Sequence, residues 1–425
     1  MRVYDKRSKT KRSFGEAKPD KSFAYLDYAA TTPVKYEVFE AMKPYLTSEF
    51  GNPSSIHSFG RQAKKAIEES RTKIAQFLGA KSSEIIFTAS GSESDNLAIK
   101  GLIEKVRSTN YEENKKPHII TSEIEHHAVL HSCQTLEKNG VEVTYIKPNT
   151  DGIIETEKVK KAIKKNTVLV SVMYVNNEIG TIQPIREIGK MVEKENEKRD
   201  QRIYFHTDAV QAAEYLPMNV DFLHVDMLTI AGHKLGAPKG IGILYVRKNT
   251  PITSIIDGGE QERGLRAGTE NVPYIVGMAK AIQLIQNSKI KNQNNNSKIE
   301  NLRNYFIQNI QKEIKDVFVN GSVNGRTPNN ANLYFKYIEG ESIVLALDLK
   351  GVACSTGSAC TSQSLEPSHV IMSISSDPMR AAGSVRFSLG EQTSKKELDF
   401  SISKIKEVVS RLRAISPYGK EKNEH

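Results

Sequence analysis

Short runs of apolar, often β-branched residues alternate with longer amphipathic segments from about residue 84 to residue 246. The short runs predict seven strands, at residues 85–88, 118–121, 141–146, 168–173, 203–207, 227–230 and 241–246. The amphipathic segments predict helices between them, at residues 94–107, 127–138, 155–164 and 185–198. Strands that alternate with helices are typical of an α/β domain with a mostly parallel sheet. Ligands of such domains bind at the carboxyl ends of the strands, on the loops that lead into the helices.

The pattern changes after about residue 273. A long helical stretch is interrupted there by the polar run 288–297, which we expect to be an exposed surface segment. Shorter strands follow at 317–320, 332–336 and 385–388, with helices near 341–349 and 395–413. We therefore predict a basic disordered tail at 1–22, a large α/β domain at 23–272 and a smaller α+β domain at 273–425. The first segment of the large domain's range could instead join the smaller domain.

The composition excludes several classes of protein. Of the 425 residues, 38% are hydrophobic and 26% are charged, which is typical of a folded globular chain and not of a disordered one. No apolar run approaches the roughly 18 residues that a membrane-spanning helix needs, so we expect no membrane partner. The three cysteines are too few for a disulfide framework, and their odd number favours a reducing compartment.

Half of the formal net charge of +10 lies in residues 1–22, which hold eight Lys and Arg against three Asp and Glu. We interpret this segment as a solvated tail. The acidic residues at positions 5, 16 and 20 argue against a transit peptide. No combination of basic and aromatic residues recurs further along the chain, so binding to nucleic acid is not expected.

Two strand ends carry residues of matching chemistry. Lys234 follows the predicted strand 227–230, and a lysine partly removed from water there has a lowered pKa and a nucleophilic amine. Asp208 follows the predicted strand 203–207. A lysine that bonds to the cofactor, together with an aspartate that pairs with its ring nitrogen, is typical of pyridoxal phosphate (PLP) enzymes. Taken singly, Lys234 also fits an ordinary surface lysine, and Asp208 equally fits the N-cap of a helix that starts at Ala209.

Two further loops could complete a PLP site. Residues 88–94 are small except for Glu93 and lie between a strand and a helix, where backbone N–H groups and the helix N-terminus favour a phosphate. The same residues also fit an ordinary turn capped by Ser92 or Ser94. His126 lies where an imidazole could stack on a ring, although a lone histidine in a loop more often has a structural role.

The cysteines can be considered one by one. Cys360 lies in the stretch 354–364, which contains no bulky apolar side chain and which we predict to be a mobile loop. A thiol on such a loop is well placed to act as a nucleophile that moves. Cys354 borders the apolar residues 351–353, and Cys133 lies in the predicted helix 127–138, so we expect both to be buried. The spacing of Cys354 and Cys360, with no second pair nearby, argues against a metal site.

Arg386 lies within an otherwise mostly apolar predicted strand. A buried guanidinium needs an anionic partner. Its planar fork suits the carboxylate of a substrate, and an internal Asp or Glu is the alternative partner.

Together these stretches resemble the cysteine desulfurases, which are PLP enzymes of the class V aminotransferase family with fold type I. Within that family the likeness is to the NifS/IscS-like group with a long cysteine loop, and it covers about residues 25–413. The motifs that carry it are YLDYAATTP (25–33), GNPSS (51–55), VNNEIG (175–180), ERGLRAGT (262–269) and GSACTS (357–362).

The resemblance implies roles for individual residues around the cofactor ring. Lys234 bonds PLP covalently, and Asp208 pairs with the ring nitrogen. Gln211 and Asn177 contact the hydroxyl side of the ring, and Asn177 also helps to bind the substrate carboxylate. His126 stacks on the ring and takes part in catalysis.

The resemblance also implies residues for the phosphate and the substrate. Gly91, Ser92 and His233 hold the phosphate, and Thr269 reaches the same phosphate from the partner subunit of a homodimer. Arg386 binds the substrate carboxylate.

The implied reaction removes sulfur from L-cysteine and releases L-alanine. It leaves a persulfide on Cys360, which passes the sulfur to an acceptor protein for iron–sulfur cluster assembly or thio-modification. No resident metal is implied, and the persulfide would contact iron and sulfur on a scaffold protein only transiently. A selenocysteine lyase or another fold-type-I enzyme is the alternative, and the thiol of Cys360 argues against an aminotransferase.

The chain departs from the family pattern in three places. Ala231 stands where the family usually has a serine that helps to bind the phosphate, and the common Ser-Gly-Ala-Thr turn is Ala-Ser-Gly-Ser at 89–92. The chain stops at His425 without the longer tail by which IscS-like members dock a scaffold protein, so docking at that place stays open. Residues 205–209 and 261–264 resemble the mitochondrial branch, which leaves two expected locations, a mitochondrion or related organelle and the cytoplasm.

Overall fold

The computed structural model of the protein describes residues 23–110, 116–291, 294–357 and 367–417. Strands and helices are numbered here in chain order. The strands are β1 Ala24–Tyr25, β2 Ile85–Thr88, β3 His118–Ser122, β4 Glu142–Ile146, β5 Thr167–Ser171, β6 Tyr204–Asp208, β7 Met227–Ala231, β8 Gly242–Val246, β9 Val317–Val319, β10 Asn330–Phe335, β11 Val352–Ala353 and β12 Ser384–Ser388. The helices are α1 Tyr36–Thr47, α2 Ser58–Leu78, α3 Gly91–Asn110, α4 His127–Lys138, α5 Thr156–Lys161, α6 Ile185–Asn196, α7 Val220–Leu223, α8 Val272–Lys291, α9 Asn294–Glu313, α10 Gly340–Asp348, α11 His369–Ser375, α12 Pro378–Ala382 and α13 Lys395–Ile415.

A seven-stranded sheet in the order β2-β8-β7-β6-β5-β3-β4 forms the centre of the molecule. Strand β8 is antiparallel to β2 and β7, and the other neighbours in this sheet are parallel. The predicted mostly parallel α/β sheet is thus confirmed. Only ten residues connect β7 to β8, fewer than the dozen or so that a parallel crossover needs, and β8 therefore returns antiparallel.

A second unit is built on the three-stranded sheet β12-β10-β9. Its core includes residues of α9, α10 and α13 and also Leu26 from the start of the described chain. Strand β1 pairs in parallel with β11, with Ala24 opposite Val352. The first described strand therefore packs with this second unit and not with the central sheet.

Helix α8 packs differently from its place in the predicted domain division. All of it except its first residue falls within the range 273–425, but its buried residues Ile275, Met278 and Ile282 join the core of the central sheet with α1 and α2. The apolar face of α8 packs against α1 and α2. The sequence pattern had not identified these two helices. The exact domain boundary stays a prediction.

The polar run 288–297 is also more helical than predicted. Helix α8 continues to Lys291 and α9 begins at Asn294, with 292–293 outside the described residues. The run contains neither Gly nor Pro, the two residues that disfavour a helix most, so its polarity alone does not end a helix. Within the described ranges, none of the helices is long and apolar enough to cross a membrane.

Candidate active site

A cavity of about 170 Å³ lies at the carboxyl edge of the central sheet, where the loops after β2, β3, β5, β6 and β7 meet. The position agrees with the general rule for ligands of α/β sheets. Nine of the residues singled out from the sequence line this cavity: Gly91, Ser92, His126, Asn177, Asp208, Gln211, His233, Lys234 and Arg386.

Lys234 ends a short 3₁₀ turn, Gly232–Lys234, directly after β7. Its amine donates hydrogen bonds to the carbonyl oxygens of Ala29 and Ala30, at 2.6 and 2.7 Å. The side chain is half-buried, unlike that of an ordinary surface lysine. Two backbone carbonyls thus hold the amine at the wall of the cavity.

Asp208 is the last residue of β6 and is buried. Its carboxylate accepts a hydrogen bond of 2.9 Å from the backbone N–H of Val210. The alternative prediction of a helix N-cap is wrong, because the residues after Asp208 form turns and no helix. Burial raises the pKa of Asp208 to about 6, and the N–H of Val210 and the charge of Lys234 oppose this rise. A cation bound beside this carboxylate would favour its ionised form.

The start of α3 forms another wall of the cavity. Ser90, Gly91 and Ser92 line it, and Gly91 is the first residue of the helix. The Ser90 hydroxyl accepts the N–H of Glu93 at 3.1 Å, so Ser90 caps the helix. The alternative prediction, a turn capped by Ser92 or Ser94, is therefore wrong. The first N–H groups of a helix lack partners within the helix, so this wall favours an anion.

His126 and His233 contribute imidazole rings to the same cavity. The Nδ1 atom of His126 accepts the N–H of Ala128 at 3.2 Å and thereby caps α4. Burial, and then the charge of Lys234, lowers the pKa of His126 to about 4. The same two causes lower the pKa of His233 to about 4. Both rings are therefore neutral near pH 7, which suits the predicted stacking role of His126.

Gln211 and Asn177 fix two further parts of the cavity wall. The side-chain amide of Gln211 donates to the carbonyl oxygen of Ala29 at 3.0 Å, the same oxygen that Lys234 contacts. The carbonyl oxygen of Asn177 accepts a hydrogen bond of 2.9 Å from Arg386.

Arg386 lies on β12 of the second unit and is only 1% exposed. Its Nη2 donates to the Oδ1 atom of Asp27 at 2.9 Å, so an internal carboxylate is one partner, as the alternative prediction allowed. Its Nε is buried and has no hydrogen-bond partner. An unmade hydrogen bond of a buried charged group is costly.

Two predicted site residues are not brought to the cavity by the described structure. Thr269 is exposed and does not line the cavity. Cys360 lies outside the described residues, whose nearest members are Gly357 and Pro367. Cys133 and Cys354 are buried as predicted, and burial raises the pKa of both thiols.

The sequence reasoning missed three acidic residues around the site. Asp27 pairs with Arg386, whereas Asp95 and Glu125 lie buried close to Asp208. Burial and the charge of Asp208 raise the pKa of Asp95 well above its usual range. Asp95 could have been found as an acid within the apolar repeat of α3, whereas Glu125 gave no signal beyond its place next to His126. Across the described ranges, no group of three or more His, Cys, Asp or Glu side chains could hold a metal ion.

Comparison with known proteins identifies the fold family. The sequence profile of the aminotransferase class-V family matches residues 24–400. The cysteine desulfurase IscS of Dictyoglomus turgidum is 51% identical over 397 residues, which cover 93% of this chain and 97% of that protein. The cysteine desulfurase IscS of Methanosarcina thermophila is 47% identical over 393 residues, which cover 92% and 93% respectively.

Solved structures agree with the sequence comparisons. A NifS-like protein superposes with a TM-score of 0.83 at 34% identity, covering 92% of this chain and 100% of that one. SspA, solved in complex with cysteine, superposes with a TM-score of 0.74 at 39% identity, covering 86% and 98%. The chain therefore belongs to the aminotransferase class-V family, whose members are PLP enzymes of fold type I. Within that family it belongs with the cysteine desulfurases of the IscS and NifS type. The predicted family and fold class are confirmed.

Proposed function

We propose that this protein removes sulfur from L-cysteine and releases L-alanine, with PLP as its cofactor. The observation that carries the proposal is the meeting of Lys234 and Asp208 in one cavity, at the ends of the neighbouring strands β7 and β6. The IscS relatives and the cysteine complex of SspA support the choice of substrate.

The residues of the cavity fit PLP. The amine of Lys234 matches the aldehyde of PLP, and the buried carboxylate of Asp208 matches its ring nitrogen. The neutral imidazole of His126 matches the face of its ring. The N-terminus of α3 offers N–H groups to a phosphate. A Cβ at Gly91 would lie 3.1 Å from Val210 Cγ2 and 3.2 Å from Ala231 Cβ, so the glycine keeps this wall open.

The chain's own residues would bind and orient the substrate. PLP, when bound, supplies an electron sink for negative charge at the substrate's α-carbon. The guanidinium of Arg386, which lines the cavity, would receive the substrate carboxylate and so fix the orientation of the α-carbon. Lys234 Nζ, held by the carbonyls of Ala29 and Ala30, is the group placed to move the α-proton.

Cys360 is the proposed acceptor of the sulfur. Its thiolate attacks the substrate sulfur and forms an S–S bond, while the C–S bond of the substrate breaks. The electron pair of the C–S bond stays with the carbon, which becomes the methyl group of L-alanine after protonation. Cys133 and Cys354 are unsuited to this role because both are buried in apolar surroundings that disfavour the thiolate. A protein that accepts sulfur, such as an iron–sulfur scaffold, would then take the sulfur from Cys360.

We propose further that the protein is a homodimer. Large apolar side chains are exposed near the start of α2: Ile56 is 91% exposed and Phe50 is 71% exposed, and the rings of Phe50 and Phe59 lie 5.7 Å apart. Residues of this region, Pro53 and Ser54, line a cleft together with the 260–263 loop that leads to Thr269. A second copy seated on this face would cover the apolar side chains and receive the neighbouring loop. Thr269 would thereby reach the cavity of the other subunit.

The loop that leads to Thr269 is rigidly held at its start. Glu262 and Arg263 have φ angles of 47° and 61°, in the left-handed region that non-glycine residues rarely adopt. The buried carboxylate of Glu262 accepts hydrogen bonds from both terminal nitrogens of Arg71, at 2.7 and 2.8 Å. Such a fixed loop is suited to project a residue into another subunit.

The homodimer is tested by replacing Ile56 with Glu, which places a charge in the proposed interface. We expect Ile56→Glu to shift the protein toward monomer in analytical ultracentrifugation and to weaken PLP retention, because Thr269 of the partner subunit is lost. Val323→Glu is the matched control, since Val323 is 68% exposed elsewhere. A monomeric wild-type protein, or an Ile56→Glu variant that dimerises as well as wild type, would contradict the proposal.

The activity is tested by incubating the protein with PLP and L-cysteine and measuring L-alanine and sulfide. We expect both products from wild type and neither from Lys234→Ala. Turnover of L-selenocysteine without turnover of L-cysteine would favour the selenocysteine lyase alternative. The location, a mitochondrion-type organelle or the cytoplasm, is tested separately by imaging the full chain with a fluorescent protein at its C-terminus.

A further inference from the structure

Glu178 is a buried acid that the proposed chemistry does not use. Its side chain is buried and the residue is 2% exposed, directly after Asn177. Its backbone is held on both sides: the N–H donates to Asn176 Oδ1 at 2.9 Å. Its carbonyl oxygen accepts the side-chain amides of Asn330 and Asn332, each at 3.1 Å. The carboxyl group therefore projects from a fixed point.

One oxygen of this carboxyl group contacts two residues that lie far from Glu178 in the sequence. The hydroxyl of Ser368 donates to Glu178 Oε2 at 2.5 Å. Gly357 packs against the same oxygen so closely that a Cβ at position 357 would lie 3.0 Å from it. Gly357 and Ser368 flank the segment of sequence that contains Cys360.

Both flanks are also tied to the substrate end of the cavity. Ser355 exchanges two backbone hydrogen bonds with Arg386, at 3.1 and 2.6 Å. Arg386 in turn donates to the carbonyl oxygen of Asn177, the neighbour of Glu178. On the other flank, His369 Nε2 lies 3.0 Å from the carbonyl oxygen of Glu125, next to His126.

We propose that Glu178 is a positioning residue for sulfur transfer, which holds both flanks of the Cys360 segment in register with the carboxylate-binding Arg386. This rests on the proposed desulfurase function. Glu178 does not touch the substrate. It acts by fixing the positions of Gly357 and Ser368, the described residues on either side of Cys360 in the sequence.

The test compares Glu178→Ala and Glu178→Gln with wild type in single turnovers of L-cysteine. We expect the rate of persulfide formation on Cys360 to fall on the order of 10²-fold in Glu178→Ala, because a small misplacement of a reacting group has such an effect. The KM for L-cysteine stays unchanged, since Arg386 contacts the backbone of Asn177 and not the Glu178 side chain. Glu178→Gln recovers much of the rate, because its amide oxygen still accepts the Ser368 hydroxyl.

A second measurement needs no turnover. We expect the rate at which iodoacetamide alkylates Cys360 in the absence of L-cysteine to change in Glu178→Ala. Glu84→Gln is the matched control, because Glu84 is a buried carboxylate that accepts the backbone N–H groups of Lys81 and Lys248 away from the cavity. This control should leave both the persulfide rate and the alkylation rate at their wild-type values.

Gly357→Ala provides a variant that keeps Glu178 itself. The φ angle of Gly357 is not in the left-handed region, so an alanine there is not strained by the backbone. The described atoms nearest to the added methyl group belong to the carboxyl group of Glu178. We expect Gly357→Ala to slow persulfide formation in wild type and to add little in the Glu178→Ala background, a non-additive pair.

Three results would each overturn the positioning role. The first is persulfide formation at the wild-type rate in Glu178→Ala, and the second is an equal loss of persulfide formation rate in Glu84→Gln. The third is that the effects of Gly357→Ala and Glu178→Ala are additive. Failure of wild type to release L-alanine at all would contradict the proposed function instead, so the two failures are distinguishable. If Glu178→Ala does not fold, Gly357→Ala and Glu178→Gln decide the question.

Discussion

The guanidinium of Arg386 is buried and lines the cavity. Asp27 and the backbone carbonyl of Asn177 each accept one hydrogen bond from a terminal nitrogen, whereas the buried Nε has no hydrogen-bond partner. Each terminal nitrogen carries a second N–H, and a carboxylate bound in the cavity would accept from a cation whose desolvation has already taken place.

Replacement of Arg386 by Gln should raise the KM for L-cysteine far more than it lowers kcat. The lost hydrogen bond to a charged group is worth about 1.5–3 kcal/mol, which corresponds to about 10- to 150-fold in KM. The comparison is made in steady-state assays with Arg326→Gln as the control, since Arg326 is also buried but donates to backbone carbonyls of the second unit. An unchanged KM in Arg386→Gln would contradict the carboxylate-binding role.

At this scale the sequence predicts residue types better than their partners. Lys234 and Asp208 could be identified because each follows an apolar strand in a recognisable motif. The carbonyls of Ala29 and Ala30, which hold the amine of Lys234, could not be identified, because two alanines about 200 positions away carry no chemical signal of their own. The pairing of Asp27 with Arg386 was hidden in the same way by its sequence separation.

Among the elements, the ends of β7 and α3 meet at the cavity and bring two unusual residues together. Ala231 ends β7 and Gly91 begins α3, and a Cβ at position 91 would lie 3.2 Å from the Cβ of Ala231. Ala231 stands where the family usually has a serine, and residues 89–92 depart from the common phosphate turn. The two departures from the family pattern are therefore neighbours in space.

Restoring the serine should strengthen PLP binding. A hydroxyl added in Ala231→Ser offers one more donor to a phosphate, and a hydrogen bond of this kind contributes about 0.5–1.5 kcal/mol, or about 2- to 10-fold in affinity. The dissociation constant is measured by absorbance titration of the cofactor-free protein with PLP. Val246→Thr adds a hydroxyl beside Met227, at the opposite edge of the central sheet from the cavity, and serves as the control. Equal affinity in wild type and Ala231→Ser would contradict the account of this wall.

Some elements are defined by the local sequence pattern, whereas others depend on contacts that are distant in sequence. Strand 85–88 and helix 127–138 match β2 and α4 because an apolar run and a regular amphipathic pattern define them locally. The direction of β8 depends on the short connection from β7, and no local pattern encodes it. The place of β1 beside β11 depends on a pairing across more than 300 residues, which only the folded chain reveals.

In the whole molecule, acidic groups are concentrated beneath the cavity. Glu125 is fully buried, and its Oε1 accepts the hydroxyl of Ser122 and the N–H of Met173. Its Oε2 has no hydrogen-bond partner. Burial raises the pKa of Glu125 to about 8 in spite of the two donors. The folded protein therefore keeps a proton on Glu125 that the unfolded chain loses near pH 4.5.

This difference predicts how stability depends on pH. Between pH 4.5 and about 8 the folded state binds more protons than the unfolded state, so the contribution of Glu125 to the free energy of unfolding decreases as the pH rises. The slope approaches about 1.4 kcal/mol per pH unit for one such group. Glu125→Gln should lack this decline and gain stability relative to wild type as the pH rises. Denaturant unfolding from pH 5 to pH 8 measures the free energy of unfolding of wild type and Glu125→Gln. If the two free energies changed in parallel with pH, the prediction would be contradicted.

The active site as a whole is assembled from both units, and this could be anticipated only in part. The loops of the central sheet supply Lys234, Asp208 and His126, and their grouping follows from the rule that parallel strands present their carboxyl ends at one edge. Arg386 comes from β12 of the second unit, and its contact with Asn177 depends on how the two units pack. The family resemblance predicted that grouping, whereas periodicity alone did not.

The most direct test of the central claim is a single turnover of L-cysteine by the full-length protein with PLP and without a reductant. We expect L-alanine and a persulfide on Cys360 in equal amounts, with the persulfide located by mass spectrometry of the alkylated protein. We expect Cys360→Ser to bind PLP and L-cysteine but to carry no persulfide. The absence of L-alanine from wild type, or normal sulfide release by Cys360→Ser, would contradict the assignment of this protein as a cysteine desulfurase that works through Cys360.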